Sequence, residues 1–275
     1  MDFKPTCGNM LSGVGPAAIE MGIVAAQDGE TIVKIHAVNV GARVEAKIKT
    51  DGGEVVYEGN TAIDGVPGTA APIELNFMDI VGSATGSLLP TGTLRNVIDG
   101  IEVTCMDVAM PMVIARAADF GLTGYENAEE LDSNQGFFDK MEAIRINAGA
   151  LMGMGDVSRS VIPKFGLLAP ARDGGTIAAR YFVPWKAHPT MAVTGAQCLV
   201  SCALAAGTIS DGLLKRPQTS PATIVLEHAS GAIAFLADYE ISESGLMMNS
   251  AGLVRTARKL ADGHVFVPLP VWGKV

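Results

Sequence analysis

A strand-like segment near the start of the chain is repeated near its end. Thr-Ile-Val-Lys-Ile-His at 31–36 is matched by Thr-Ile-Val-Leu-Glu-His at 223–228. Each segment follows a helix-like stretch that opens on a polar residue and glycine, Cys-Gly-Asn at 7–9 and Thr-Gly-Ala at 194–196. The two offsets, 192 and 187 residues, agree to within a loop length. The sequence therefore predicts two topologically related halves, each a small-residue helix wrapped by strands, with a site between the two helix N-termini.

The remaining predicted elements are mostly short strands. β-Branched residues alternate with period two in several segments, and Gly, Pro, Asn or Asp separates these segments. Four stretches have helical spacing, and in the last of them basic residues occupy the final turns, as the helix dipole prefers. The mixture predicts an α+β fold. The predicted strands are 31–50 broken at 39–41, 54–57, 101–116 interrupted at Pro111, and 175–182; the predicted helices are 10–21, 135–152, 195–206 and 250–260.

Composition narrows the class of protein. With 275 residues, 48% of them hydrophobic, the chain has enough apolar material for a sizeable core, which excludes intrinsic disorder. Its 29 acidic and 20 basic residues give a net charge of −9 without a basic stripe, which excludes nucleic acid and an anionic membrane as partners. Residues 187–210 carry no Asp, Glu, Lys or Arg, but polar residues interrupt them, so we expect a buried core helix there instead of a membrane span.

The four cysteines differ in their expected roles. They are too few and too scattered for a disulfide framework, and the N-terminus lacks a signal-peptide pattern, so a reduced, cytoplasmic protein is predicted. Cys7 precedes glycine at a predicted helix start, where unpaired N–H groups and the helix dipole stabilise a thiolate. We therefore expect Cys7 to be functional. Cys105, Cys198 and Cys202 are expected to pack in the core.

Other features favour an anionic ligand. The glycine-rich openings at 7–9 and 194–195 present backbone N–H groups that bind carboxylates well. The segment 82–92 adds hydroxyls and turns, although a flexible surface loop explains it equally well. His188 and His228 stand near these segments, with a structural role as the default for each. The sequence contains no metal-ligand spacing, P-loop or serine-hydrolase elbow.

Taken together, several motifs resemble the PrpF-type aconitate isomerases and 4-oxalomesaconate tautomerases over nearly the whole chain. That family is similar in fold to diaminopimelate epimerase and proline racemase. The resemblance implies two pseudo-symmetric halves, each a curved sheet around a central helix, with the active site in the cleft between them. The motifs are Cys-Gly-Asn-Met at 7–10 through Gly15-Pro16, the loop 82–92, Ile144-Arg145 with 153–156, Arg-Tyr-Phe at 180–182, 192–196, and Glu-His-Ala-Ser-Gly at 227–231.

The resemblance also implies a chemistry: a cofactor-independent 1,3-proton shift on an unsaturated di- or tricarboxylate, without a metal. A base removes a proton next to a carbonyl or carboxylate, N–H donors hold the enolate, and an acid returns a proton elsewhere. By position, Cys7 matches the active-site acid/base of the family. The positions that would bind the substrate are Gly8, Asn9, Ser83, Thr85, Gly86, Ser87, Thr194, Gly195, His228 and Ser230.

The same resemblance divides the chain into an incomplete N-terminal half at 1–100, a C-terminal half at 101–255, and a segment at 256–275 that returns to the first half. Full-length family members begin with additional strands that carry a lysine, so the first half is expected to be shortened. Ala109-Met110-Pro111 stands where the family usually has Gly-Asn-Pro.

Two other classes of function stay open. A catalytically impaired, truncated member or pseudoenzyme would keep the fold and act as a binding or assembly protein, since exposed sheet edges favour association. A cysteine hydrolase fits less well, because no histidine stands in an evident partnership with Cys7. The expected partner is a small anionic carboxylate substrate, and a homo-oligomer is compatible with the sequence.

Overall fold

The computed structural model describes residues 8–38, 41–64, 66–242, 245–268 and 271. The helices are α1 (Gly8–Glu20), α2 (Ala128–Asp132), α3 (Gln135–Leu151) and α4 (Val193–Leu204), with a 3₁₀ helix at Ala117–Phe120. The strands are β1 (Gly29–Ala37), β2 (Ala42–Asp51), β3 (Glu54–Val55), β4 (Thr61–Ala62), β5 (Thr69–Ala70), β6 (Ile73–Met78), β7 (Asn96–Ile98), β8 (Ile101–Val108), β9 (Met110–Arg116), β10 (Lys164–Ala169), β11 (Ile177–Val183), β12 (Lys186–Ala187), β13 (Ala222–His228), β14 (Gly231–Ser242) and β15 (Gly245–Arg255).

Within this described part, thirteen strands form one mixed sheet. Its order is β1-β2-β6-β15-β14-β13-β11-β10-β9-β8-β7, with β3 attached to β2 and β12 to β11; β4 and β5 pair separately. Most neighbours are antiparallel, whereas β9–β10 and β11–β13 are parallel. The predicted α+β class is confirmed.

The repeated segments occupy related positions in this sheet. α1 is followed by the antiparallel pair β1–β2, and α4 is followed by the antiparallel pair β13–β14. A third strand extends each pair, β6 beside β2 and β15 beside β14, and these two strands pair with each other. The order β1-β2-β6 is therefore mirrored by β13-β14-β15 across the β6–β15 pair.

The strands β8–β11 separate two layers of packing. Side chains alternate across a strand, so Met112 and Tyr181 lie in the core on the α4 side while Val113 and Phe182 lie in the core on the α3 side. Cys105 is buried on the α3 side, whereas Cys198 and Cys202 lie inside α4, and all three are free thiols. Burial raises the pKa of Cys105 and Cys202 to about 12. The prediction that these cysteines pack in the core is confirmed.

Three of the four predicted helices are present, each within two residues of its predicted ends. The core helix predicted at 195–206 is α4, in which every side chain except Thr194 is buried. No described helix is long and apolar enough to cross a membrane. The predicted break at Pro111 lies instead at Ala109, whose φ of 60° allows the β8–β9 turn, while Pro111 continues in β9.

The helix predicted at 250–260 is wrong. This stretch begins inside β15, which pairs with β14 on one side and with β6 on the other, and residues 256–268 have no regular structure. Ladder hydrogen bonds on both sides favour a strand over an isolated helical turn. The basic residues that imitate a helix C-terminus lie at the end of the strand and after it, where Arg258 donates to the carbonyls of Pro67 and Thr69.

Candidate functional site

The N-termini of the two related helices meet. Gly8 begins α1, and a Cβ atom built on it would overlap the side chain of Val193, the first residue of α4. Ala192, which precedes α4, has an extended backbone and makes no side-chain cap, and the first turn of α4 carries no acidic residue. Among the described residues, no side chain accepts the first N–H groups of α4, and a helix end of this kind favours binding of an anion.

Beneath the first turn of α4, the sheet presents a tyrosine hydroxyl and a thioether sulfur. The Tyr181 hydroxyl lies 3.4 Å from the sulfur of Met110, and the Thr194 hydroxyl lies 3.9 Å from the same atom. Gly195 is pressed against Tyr181, because an added Cβ would lie 2.5 Å from the tyrosine ring. Met110 thus lies below the first turn of α4.

The hydroxyl loop predicted from 82–92 is held by a buried carboxylate. Asp107, at the end of β8, is fully buried and accepts from the Ser83 hydroxyl at 2.7 Å and from the N–H and hydroxyl of Thr85, both at 2.8 Å. Gly86 donates its N–H to the carbonyl of Gly82, and the Ser87 hydroxyl donates to the carbonyl of Leu89. The loop is therefore fixed to the sheet, and the hydroxyls of Ser83 and Thr85 are committed to Asp107.

The two histidines are oriented by backbone groups. Nδ1 of His228 accepts the N–H of Ser230, whose hydroxyl donates to the Pro189 carbonyl, and Nδ1 of His188 accepts the N–H of Thr190. Burial lowers the pKa of both histidines. A neutral imidazole whose Nδ1 accepts a hydrogen bond carries its proton on Nε2, so each ring presents a donor on its other side.

A cavity of about 440 Å³ lies next to these groups. Ser12 of α1, Thr190, His228 and Arg255 line it, so it touches elements from both related halves. Asp64 also lines it and accepts the N–H of Ala232 at 2.9 Å. A volume in this range is typical of small-molecule sites.

The predicted site residues fall into three groups. Gly8, Thr194 and Gly195 lie at the paired helix ends, and Asn9 is in the first turn of α1. His228 lines the cavity, and Ser230 lies in the same hairpin. Ser83, Thr85, Gly86 and Ser87 share the loop fixed by Asp107. Cys7 lies outside the described residues.

Three polar residues that sequence reasoning did not single out for the site lie at its edges: Asp107, Lys164 and Arg255. Lys164 has a visible signal, because it is a charged residue in an otherwise apolar strand, whereas Asp107 shares β8 with Glu102 and Thr104. The pattern at 250–260 predicts a helix with Arg255 in its later turns, whereas Arg255 ends the strand β15 and lines the cavity. Among the described residues, no group of three or more His, Cys, Asp or Glu side chains could hold a metal ion.

Comparison with known proteins agrees with this architecture. The chain is 46% identical over 261 residues to the (4E)-oxalomesaconate Delta-isomerase of Novosphingobium sp. (strain KA1), covering 95% of this chain and 72% of that protein. It superimposes on a methylitaconate-delta-isomerase with a TM-score of 0.85 at 29% identity, covering 96% of this chain and 73% of the other.

A more distant structure shares the fold alone. A hydroxyproline epimerase from Agrobacterium vitis matches with a TM-score of 0.51 at 13% identity, covering 98% of this chain and 72% of the other. The expected epimerase-like fold is thereby confirmed. The family described as "PrpF protein" matches residues 1–268, and with this extent of agreement the chain belongs to the PrpF family.

Proposed function

We propose that this protein is an isomerase that catalyses a 1,3-proton shift on an unsaturated di- or tricarboxylate, of the oxalomesaconate or methylaconitate type, without a cofactor. Family membership and the isomerase names of its relatives support the reaction class. The observation that carries the mechanism is the contact between the N-termini of α1 and α4.

Cys7 acts as the acid/base in this proposal. It directly precedes Gly8 in sequence, and Gly8 is packed against the start of α4. Its thiolate removes a proton next to a carboxylate or carbonyl of the substrate, the electron pair moves into an enolate, and a proton returns to the far carbon of the allylic system. The N–H groups at the start of α4, which lack a side-chain cap, stabilise the negative charge of the enolate.

The other predicted residues divide into two roles. Gly8, Asn9, Thr194 and Gly195 supply N–H or side-chain donors to the substrate at the helix ends, and His228 with Ser230 shapes the wall of the cavity. The loop of Ser83, Thr85, Gly86 and Ser87 shapes the neighbouring rim as a fixed element, since Asp107 already holds two of its hydroxyls. The first turn of α4 contains no acidic residue, so no negative side chain there would repel an anionic substrate.

Proton exchange in D₂O, followed by NMR, tests the proposal. The protein is incubated separately with 4-oxalomesaconate, methylaconitate and trans-aconitate. Wild type is expected to incorporate deuterium or move the double bond in one of them, and Cys7→Ser is expected to lose this activity by about 100-fold or more, the usual contribution of a general acid or base.

Cys105→Ala is the matched control, because Cys105 is buried on the opposite side of the sheet. It should retain exchange. A folded wild type that exchanges no substrate would contradict the isomerase and favour a binding or assembly role. Full activity in Cys7→Ser would contradict the role of Cys7 alone.

A further inference from the structure

Lys164, the first residue of β10, is a largely buried lysine in an apolar strand. It is 7% exposed, and the other residues of its strand are apolar. Among the residues that the structure describes, no hydrogen bond or ion pair joins its ammonium group to another residue, and only burial and the charge of Arg145 act on its pKa. The ammonium nitrogen itself stays accessible to solvent, so it is partly desolvated and open to an anionic ligand.

The register of the sheet places Lys164 on the face that α4 covers. Its Cα partner in β9 is Met112, and the next residue on the same face, Gly166, is packed against Leu199 of α4. Met110 lies diagonally across the same parallel pair, and its sulfur contacts Thr194 in the first turn of α4. Lys164 therefore stands on the floor that also carries the start of α4.

The surroundings of Lys164 keep its charge uncompensated. The guanidinium of Arg145 is itself paired with Glu142 and with the carbonyl of Pro163, so it fixes the segment before Lys164 without neutralising it. Burial and the positive charge of Arg145 lower the pKa of Lys164 to about 8. His188 presents a second donor, and the charge of Lys164 contributes, after burial, to its lowered pKa. The uncapped N–H groups of α4 add positive potential of the same sign.

We propose that Lys164 binds one carboxylate of the substrate at the N-terminus of α4. The inference rests on the proposed function and names how the site selects a multiply charged acid. One carboxylate is held by the ammonium of Lys164 and by the hydroxyl of Thr194, while the reacting carbons face the start of α1. An anion would give Lys164 the partner that the described residues do not supply, and a partly desolvated charge pair discriminates strongly against an ester or amide in the same place.

Binding of propane-1,2,3-tricarboxylate, a saturated acid that cannot isomerise, tests the inference by isothermal titration calorimetry. Wild type is compared with Lys164→Met, which keeps the length without charge, and with Lys164→Arg, which keeps the charge. We expect the dissociation constant to rise about ten- to hundredfold in Lys164→Met and to recover partly in Lys164→Arg, because one charge-assisted contact is lost and then replaced. Lys186→Met, at an exposed lysine of β12, should bind as wild type does.

Thermal unfolding without ligand separates binding from folding. Removal of an unpaired buried charge should leave the midpoint of Lys164→Met equal to or above that of wild type. A lowered midpoint together with unchanged affinity would overturn the inference. If Lys164→Met does not fold, the pH dependence of wild-type binding tests the inference. The affinity should fall as the pH rises through about 8, because Lys164 then loses its charge; the neighbouring ionisable groups are Arg145, His188 and Tyr181. An affinity that does not change between pH 7 and pH 9.5 would overturn the inference.

The outcomes also distinguish this inference from the proposed function. Catalysis with unchanged kcat and KM in Lys164→Met would refute the role of Lys164 and leave the isomerase intact. If the protein binds the tricarboxylate through Lys164 but exchanges no proton with any substrate, the isomerase is refuted and the role of Lys164 stands. A rise in KM with a smaller change in kcat is the result expected of a carboxylate-binding residue.

Discussion

At the scale of single residues, Glu227 shows how a buried carboxylate organises a segment beside the site. It accepts the N–H groups of Arg172, Asp173 and Gly175 and the hydroxyl of Tyr125. Burial alone would raise its pKa, but these donors outweigh burial and lower the pKa to about 2. The carboxylate thereby fixes the loop between β10 and β11. Glu227 directly precedes His228 in the sequence, so this fixed loop lies beside the site.

This arrangement predicts a pH-dependent stability. Because the folded pKa of Glu227 is depressed, its contribution is fully present above the unfolded value near 4.5 and is lost as pH falls towards 2. We expect Glu227→Gln to lower the free energy of unfolding by about 3 kcal/mol at pH 6 and by much less at pH 2 to 2.5. Urea unfolding at a series of pH values measures the difference, and Glu58→Gln, at an exposed carboxylate, is the control. A difference independent of pH would contradict the assignment.

Residue patterns alone indicate some of the site and miss the rest for a physical reason. Polar-glycine openings mark Gly8 and Thr194, because exposed N–H groups at helix starts need such residues and the pattern is local. The environment of Lys164 and Asp107 depends on strands far away in sequence that bury them. A lysine after proline is typical of a solvated strand end, so only the assembled sheet shows that Lys164 is largely buried.

At the scale of elements, the contact between α1 and α4 is the feature on which the site depends. Any residue larger than glycine at position 8 would place its Cβ atom in the side chain of Val193. An added Cβ at Gly13, in the same helix, would have no atom within 4 Å. Gly8→Ala should separate the helix ends and lower kcat/KM by about tenfold or more, because small displacements of reacting groups are costly.

Gly13→Ala provides a matched control within α1. It should keep the activity and raise the free energy of unfolding by about 0.5–1 kcal/mol, since alanine has the higher helix propensity. Steady-state kinetics and urea unfolding on both variants make the comparison. Equal activity of Gly8→Ala and Gly13→Ala would refute the dependence of the site on this contact.

The same scale explains which elements sequence patterns predict. α3 and α4 have long apolar periodicity and recur within two residues of their predicted limits. The basic residues of 250–260 predict a helix end, but residues 250–255 belong to β15, which β14 and β6 both hold by ladder hydrogen bonds. Local pattern therefore fails where long-range pairing supplies the larger stabilisation.

At the scale of the whole molecule, the mirrored strand order supports the proposed division into halves at 1–100 and 101–255. The division is crossed twice in the described sheet: β7 pairs with β8, and β6 pairs with β15. Lys259, in the segment proposed to return to the first half, forms an ion pair with Glu20 of α1. These crossings indicate that the two halves form one continuous sheet.

The β6–β15 pair is therefore expected to couple the unfolding of both halves. Gly252 of β15 is packed against Asn76 of β6, and an added Cβ would also lie 3.1 Å from the carbonyl oxygen of Leu75. Gly252→Val should lower the free energy of unfolding by about 1–3 kcal/mol, the usual cost of overpacking, and should shift the whole transition. Gly263→Val, at an exposed glycine with no neighbour within 4 Å, should leave the free energy of unfolding unchanged.

Circular dichroism and tryptophan fluorescence in urea measure both variants, and coincident transitions indicate a single cooperative unit. Two separate transitions, only one of them moved by Gly252→Val, would show that the halves unfold independently despite the shared sheet.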